Sequence, residues 1–189
     1  MPAMQPNNFT HKSQEAMQQA SQIAHEHGQQ QVEPPHLFMA LLGQEEGVVM
    51  SVLKKMNANL PQIRQTVEAL LRSLPKQSGP MASGGLGQIL MGQAMMYILQ
   101  QAADEAGKMG DEYISVEHLL LAYLTSKNPI SHSLAEQGIH YDDVLKILAT
   151  IRGTQRVDSP EPESKYQALE KYGKNYTELA RKEKLDPVI

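Results

Sequence analysis

Hydrophobic residues recur along the chain at helical spacing, and small residues mark one face of the predicted helices. Ala20 and Ala24 lie four positions apart, as do Ala102 and Ala106. Residues four apart share one face of a helix, and alanine on that face lets another helix approach closely. The spacing therefore predicts two similar helices, each packed tightly against a partner.

The regions around these two alanine pairs are copies of one unit. A shift of 82 positions aligns residues 18–42 with residues 100–124 without a gap. With one residue deleted, the match continues from residues 52–71 to residues 133–151. We expect an all-α domain of two related repeats, each with about four helices. The identical positions in the ungapped part are Gln18, Gln19, Ala20, Ala24, Gly28, His36, Leu37, Ala40 and Leu42.

Each copy carries stop and start signals for a helix pair. Gly28 and Gly110 fall where the first helix should end, because glycine accepts the left-handed conformation found there. Pro34 is tolerated in the first turn of the next helix, and Ser115 is a good N-cap in the second copy.

The connection between the paired helices ends in Val32 or Ile114, each of which we interpret as an apolar plug. His36 and His118 also recur at equivalent positions. General burial tendencies favour imidazoles that cap or wedge the start of the second helix over a functional role.

Composition narrows the possible partners and compartments. Lys and Arg number 17 against 21 Asp and Glu, for a net charge of −4, and no basic run with interleaved aromatics indicates nucleic acid binding. Cysteine is absent, which fits a reducing compartment. No apolar run approaches the ~20 residues that cross a bilayer, and the first residues lack a signal-peptide pattern. We expect a cytoplasmic protein without a membrane partner.

Patterns for catalysis and metal binding are missing from the sequence. Gly107-Lys108 is followed by Met109 and is not part of a P-loop, and GGLG at 84–87 has no lysine. His25-Glu26-His27 is not the HExxH of a zinc site, and no GxSxG is present. We therefore expect no catalytic residue, no metal site and no cofactor within this chain.

Composition shifts divide the chain. Residues 75–88 are rich in Pro, Ser and Gly and predict a loop between repeat 1 (about 9–75) and repeat 2 (about 87–152). Periodicity then vanishes, so we expect a double-repeat domain over 1–153 and a mobile linker over 154–164. A short helical tail is predicted over 165–189, and it is expected to be mobile.

The segments FTHKSQEAM, EPPHLFMALL and SVEHLLLAYL resemble the double Clp-N repeat that opens the ring-forming Clp unfoldases of the AAA+ class. The tail YQALEKYGKNYTELARKEKLDPVI is similar to the start of the first ATPase module of ClpB-type disaggregases, truncated here. The resemblance implies a pseudo-twofold bundle that recruits unfolded or aggregated polypeptides. It also implies that the full-length protein binds ATP and magnesium, forms a homohexamer and cooperates with an Hsp70-type system.

The same resemblance indicates Thr10, Asp111 and Glu117 as residues that affect substrate handling. From the residues alone, Thr10 is equally an N-cap, and the two acids favour helix starts. Further expected groove-lining residues are Phe9, Leu86, Leu90 and Tyr113.

Two alternatives stay open. The domain could dock a folded adaptor, as in unfoldases that serve Clp proteases, or it could be a stand-alone helical scaffold. The tail argues against adaptor docking.

Overall fold

A computed structural model describes residues 8–76 and 90–162. The predicted tail at 165–189, Leu86 and most of the predicted loop at 75–88 lie outside the described residues.

The described chain is helical, which confirms the predicted all-α class. Eight helices and two short strands follow in the order α1 (His11–Glu26), β1 (Gln31–Val32), α2 (Pro34–Gly43), α3 (Val48–Lys55), α4 (Leu60–Ser73), β2 (Leu90–Met91), α5 (Gln93–Met109), α6 (Val116–Thr125), α7 (Pro129–Glu136) and α8 (Tyr141–Arg152). Within the described ranges, no helix is long and apolar enough to cross a membrane.

The helices confirm the duplication. α5 and α6 begin 82 residues after α1 and α2, and α7 and α8 begin 81 residues after α3 and α4. The change of offset is the single deletion that the sequence alignment requires. Repeat 1 is therefore α1–α4, and repeat 2 is α5–α8.

Short extended segments join the repeats crosswise. β1 of repeat 1 pairs in parallel with β2, which precedes repeat 2, and Val32 faces Met91. The segment before α1 pairs with the corresponding connection of repeat 2, where Phe9 faces Ile114. The repeat offset of 82 relates Val32 to Ile114 and Phe9 to Met91. The two pairs are therefore equivalent contacts, as a pseudo-twofold axis between the repeats requires.

The predicted helix signals lie where the sequence indicates. Gly28 and Gly110 follow the ends of α1 and α5 with φ of 68° and 70°. The four alanines of the predicted faces are buried where α1 packs on α2 and α5 packs on α6.

The core between the repeats centres on α2 and α6. The rings of Phe38 and Tyr123 meet edge to face with centroids 4.8 Å apart, and both side chains are fully buried. The Tyr123 hydroxyl donates to the Pro34 carbonyl at 2.6 Å. Burial raises the pKa of Tyr123 well above its usual value, so the hydroxyl keeps its proton as a donor. This contact ties one repeat directly to the other.

The chain after α8 differs from the predicted mobile linker at 154–164. Residues 155–160, which we call the strap, run back against repeat 2, and the Val157 side chain is fully buried there. The Val157 carbonyl accepts hydrogen bonds from the Glu112 and Tyr113 amides at 3.0 and 3.2 Å, and the Pro160 carbonyl accepts from His11 at 2.8 Å. The lost periodicity marks the end of the helices but not the end of the packed chain.

Candidate functional site

Thr10 is a buried N-cap of α1. Its hydroxyl accepts the Ser13 amide at 3.3 Å, and its own amide donates to the Ile114 carbonyl at 3.0 Å. The side chain has no exposed surface. The capping role predicted from the sequence is confirmed, and any effect of Thr10 on a bound polypeptide must pass through the position of α1.

Asp111 is the centre of a buried polar cluster in repeat 2. Its carboxylate accepts from the Arg152 guanidinium at 2.8 Å and from the Val157 amide at 2.8 Å. It also accepts from His118 Nε2 at 2.9 Å. The side chains of Asp111 and His118 have no exposed surface, and 5% of Arg152 is exposed. The carboxylate therefore connects α6, α8 and the strap.

The tautomer of His118 follows from its partners. The Ser115 amide donates to His118 Nδ1 at 3.0 Å, so Nδ1 carries a lone pair and the proton sits on Nε2. A neutral imidazole thus caps the start of α6 and donates to Asp111. This confirms the structural role expected of His118.

Glu117 is the second acid of the cluster. Its side chain has no exposed surface, and Oε1 lies 3.9 Å from Arg152 Nη1. Neither carboxylate oxygen has a hydrogen-bond partner in the described parts of the chain. Two buried acids therefore share the one guanidinium of Arg152.

Repeat 1 contains an uncharged version of the cluster. Gln29 stands at the position of Asp111, and its amide oxygen accepts from His36 Nε2. The Glu33 amide donates to His36 Nδ1 at 2.9 Å, as Ser115 does to His118. The Gln29 amide group donates to the Leu71 carbonyl at 2.7 Å, and Leu71 stands at the position of Arg152. The same scaffold thus occurs once with neutral groups and once with charges.

The environment of Asp111 lowers the pKa of its carboxyl group. Burial raises the pKa, but the hydrogen bonds from His118 and Val157 oppose this effect. The hydrogen bond and charge of Arg152 also lower the pKa, and the net result lies below the ordinary value of 3.8. The group is a carboxylate near neutral pH.

We expect the free energy of unfolding of the wild type to exceed that of Asp111→Asn near neutral pH. A carboxyl whose folded pKa is lowered stabilises the fold above its unfolded pKa, and this contribution is lost as the pH falls through the folded pKa. Urea unfolding measured at a series of pH values should therefore show the difference shrinking below about pH 3.9. Asp104→Asn, at an exposed hydrogen bond from Gln100, is the control. A difference that stays constant down to pH 2 would contradict this account.

A second feature of repeat 2 is an exposed apolar patch at β2 and the start of α5. It consists of Leu90, Met91, Met96 and Tyr97, which are 58%, 47%, 56% and 55% exposed. The repeat offset places Phe9 at the position of Met91, yet Phe9 is only 5% exposed. Glu15 stands at the position of Tyr97. The apolar patch therefore belongs to repeat 2 alone.

The expected groove residues differ in their exposure. Leu90 belongs to the apolar patch, Tyr113 is half-buried, and Phe9 is buried in the core; Leu86 lies outside the described residues. Thr10 corresponds to Gly92, beside Met91, so Thr10 and the patch occupy symmetry-related but separate positions. The sequence did not distinguish Met96 and Tyr97, which are exposed, from Met95, which is fully buried.

No cluster of three metal-ligating side chains occurs in the ranges that the structure describes. Beside β1, residues Gln29–Gln31 and Glu33 line an open cleft of 540 Å³ together with 74–76.

The duplicated helical fold and its crosswise strand pairs define the class of protein. The model of the Clp repeat (R) N-terminal domain family matches residues 8–137. The chain belongs to this family.

Relatives and solved structures agree with this assignment. The chaperone protein ClpB of Bacillus cereus is 39% identical over 186 residues, which is 98% of this chain and 21% of the relative. The chain thus spans about a fifth of the length of such curated relatives. The N-terminal domain of Hsp104 from Candida albicans has a TM-score of 0.69 at 22% identity, covering 82% of this chain and 99% of that one. A complex of the ClpV N-domain with a VipB peptide has a TM-score of 0.61 at 19% identity, covering 76% and 86%.

Proposed function

We propose that the chain is the substrate-recruiting domain of an ATP-dependent disaggregase and that the apolar patch binds exposed hydrophobic segments of unfolded or aggregated proteins. The observation that supports this is the exposure of four large apolar side chains within eight consecutive residues, Leu90, Met91, Met96 and Tyr97. Large exposed apolar patches are uncommon on soluble domains and often mark interaction sites.

The chemistry of the patch suits varied partners. Methionine side chains are flexible and polarisable, so they adapt to different apolar groups. Burying roughly 300 Å² of apolar surface at about 25 cal/mol per Å² contributes about 7 kcal/mol before association costs, which consume most of it. Weak and promiscuous binding follows, and several copies in a ring would raise the avidity.

Similarity supports the proposal. The curated relative reported above is a ClpB chaperone, and the ClpV N-domain is a structural neighbour that was solved with a peptide. ATP and magnesium binding, a homohexamer, an Hsp70-type partner and a cytoplasmic location are proposed for the full-length protein.

Thr10, Asp111 and Glu117 enter this proposal as positioning residues. Their side chains are buried, so they do not offer a contact surface to a client. Thr10 fixes the start of α1, Asp111 holds Arg152 and the strap, and Glu117 lies 3.9 Å from Arg152.

We expect Met96→Ser with Tyr97→Ser to weaken binding of an unfolded client about tenfold or more, because the variant removes two of the four exposed apolar side chains. Gln14→Ser with Glu15→Ser, at the same positions of repeat 1, is the matched control and should change binding little. Affinity is measured by nuclear magnetic resonance titration of the chain with a permanently unfolded protein.

Equal client affinities of the two variants would show that the apolar patch does not bind the client. Stoichiometric binding of one folded partner, unaffected by an excess of unfolded client, would favour adaptor docking instead.

A further inference from the structure

The strap is attached to repeat 2 by a small set of contacts. The Val157 amide donates to Asp111, and the Val157 carbonyl accepts from Glu112 and Tyr113. Arg152 donates to the Gln155 carbonyl at 3.2 Å and at the same time to the Asp111 carboxylate. The Asp111 side chain and the backbone of Glu112 and Tyr113 thus provide the hydrogen bonds that repeat 2 makes to Val157. On the side of repeat 1, the Pro160 carbonyl accepts from the His11 amide.

The rest of the strap is largely solvent-exposed. Gln155, Arg156 and Asp158 are exposed, while Ser159 and Pro160 are half-buried. Segments with few buried apolar contacts and hydrogen bonds near the surface open locally at low cost compared with the core. The helices of repeat 2, in contrast, bury apolar residues along their whole length.

Repeat 1 has neutral residues where repeat 2 binds the strap. The residues of repeat 1 that correspond to the strap-binding segment are 29–31, and they line the open cleft of 540 Å³ with 74–76. Gln29 and Leu71 replace Asp111 and Arg152, so the charged pair belongs to repeat 2 and its equivalent in repeat 1 is neutral.

We propose that residues 111–114 form a docking surface for the strap and that the strap leaves this surface as a unit while the eight helices stay folded. Arg152 and Asp111 are positioning residues that set the balance between the docked and released strap.

Amide hydrogen exchange followed by nuclear magnetic resonance tests this proposal on the whole chain. In the wild type, the amides of Glu112, Tyr113 and Val157 should be protected but should exchange faster than those of Leu120 in α6. Val157→Ala removes buried apolar surface from the strap alone. It should speed exchange at Glu112 and Tyr113 by roughly tenfold and leave Leu120 unchanged.

Val67→Ala is the matched control, because Val67 is an equally buried valine in α4 of repeat 1. It should speed exchange in the core and leave the exchange rates of the Glu112, Tyr113 and Val157 amides unchanged, because these amides exchange through local opening of the strap. A second variant, Val157→Pro, removes the donor to Asp111 without altering the buried charges. It should give the same selective rise at Glu112 and Tyr113.

Two results would overturn the proposal. One is exchange of the wild-type Glu112, Tyr113 and Val157 amides at the rate of an unstructured peptide, which would mean that the strap is not docked. The other is an equal rise at Leu120 and at the strap amides in Val157→Ala, which would mean that the strap opens only when the domain unfolds.

Discussion

Arg152→Leu should lower the free energy of unfolding by about 3–5 kcal/mol at neutral pH, because it leaves the buried carboxylates of Asp111 and Glu117 without their shared cation. The size of the replacement is not the problem, since Leu71 occupies the equivalent position in repeat 1. Urea unfolding followed by circular dichroism measures the loss.

Repeat 1 also supplies the compensating change. Asp111→Gln combined with Arg152→Leu recreates the neutral pair of Gln29 and Leu71, so the double variant should be clearly more stable than Arg152→Leu alone. If the double variant instead loses the sum of two independent penalties, the charges do not act as a coupled group.

Tyr123→Ala is expected to cost about 3–5 kcal/mol, because it opens a cavity at the contact between the two repeats. Tyr123→Phe separates the contributions: it keeps the ring and removes only the hydrogen bond to the Pro34 carbonyl, at about 1–2 kcal/mol. Tyr97→Ala is the control, since Tyr97 is 55% exposed.

The measurement is again the midpoint and slope of urea unfolding. A loss below 1 kcal/mol for Tyr123→Ala would show that α2 and α6 repack around the missing ring. A second transition in that variant would show that the repeats can unfold separately.

The helices could be predicted because their signals are local. Gly28 and Gly110 stop a helix through their own backbone, and Ser115 and Thr10 cap one through contacts three residues away. Because the chain is duplicated, each of these signals has a counterpart in the other repeat. The single deletion in the sequence alignment also predicts the change of offset between α6 and α7.

The sequence pattern could not predict the contacts between distant segments of the chain. The β1–β2 pair has two residues per strand and the Phe9–Ile114 bridge has one, too few for a period to appear, and the pairing of Val32 with Met91 depends on the packed repeats. The strap was missed because a single valine among polar residues shows no periodicity, although the carboxylate of Asp111 holds its amide.

The candidate site was predicted only in part. The resemblance selected Asp111 and Glu117 but not Arg152, whose position at the end of α8 looks like an ordinary favourable charge at a helix terminus. Leu90 was expected at the surface, whereas nothing in the adjacent pair Met95 and Met96 shows which one faces outward.

The strap also determines how the domain responds to mechanical force. The Pro160 carbonyl is bonded to His11 at the start of α1, so the incoming and outgoing chains lie side by side. A pull on the outgoing chain reaches Pro160 and Val157 before it reaches α8, and it breaks their bonds one after another. We therefore expect the strap to detach before the helices unfold.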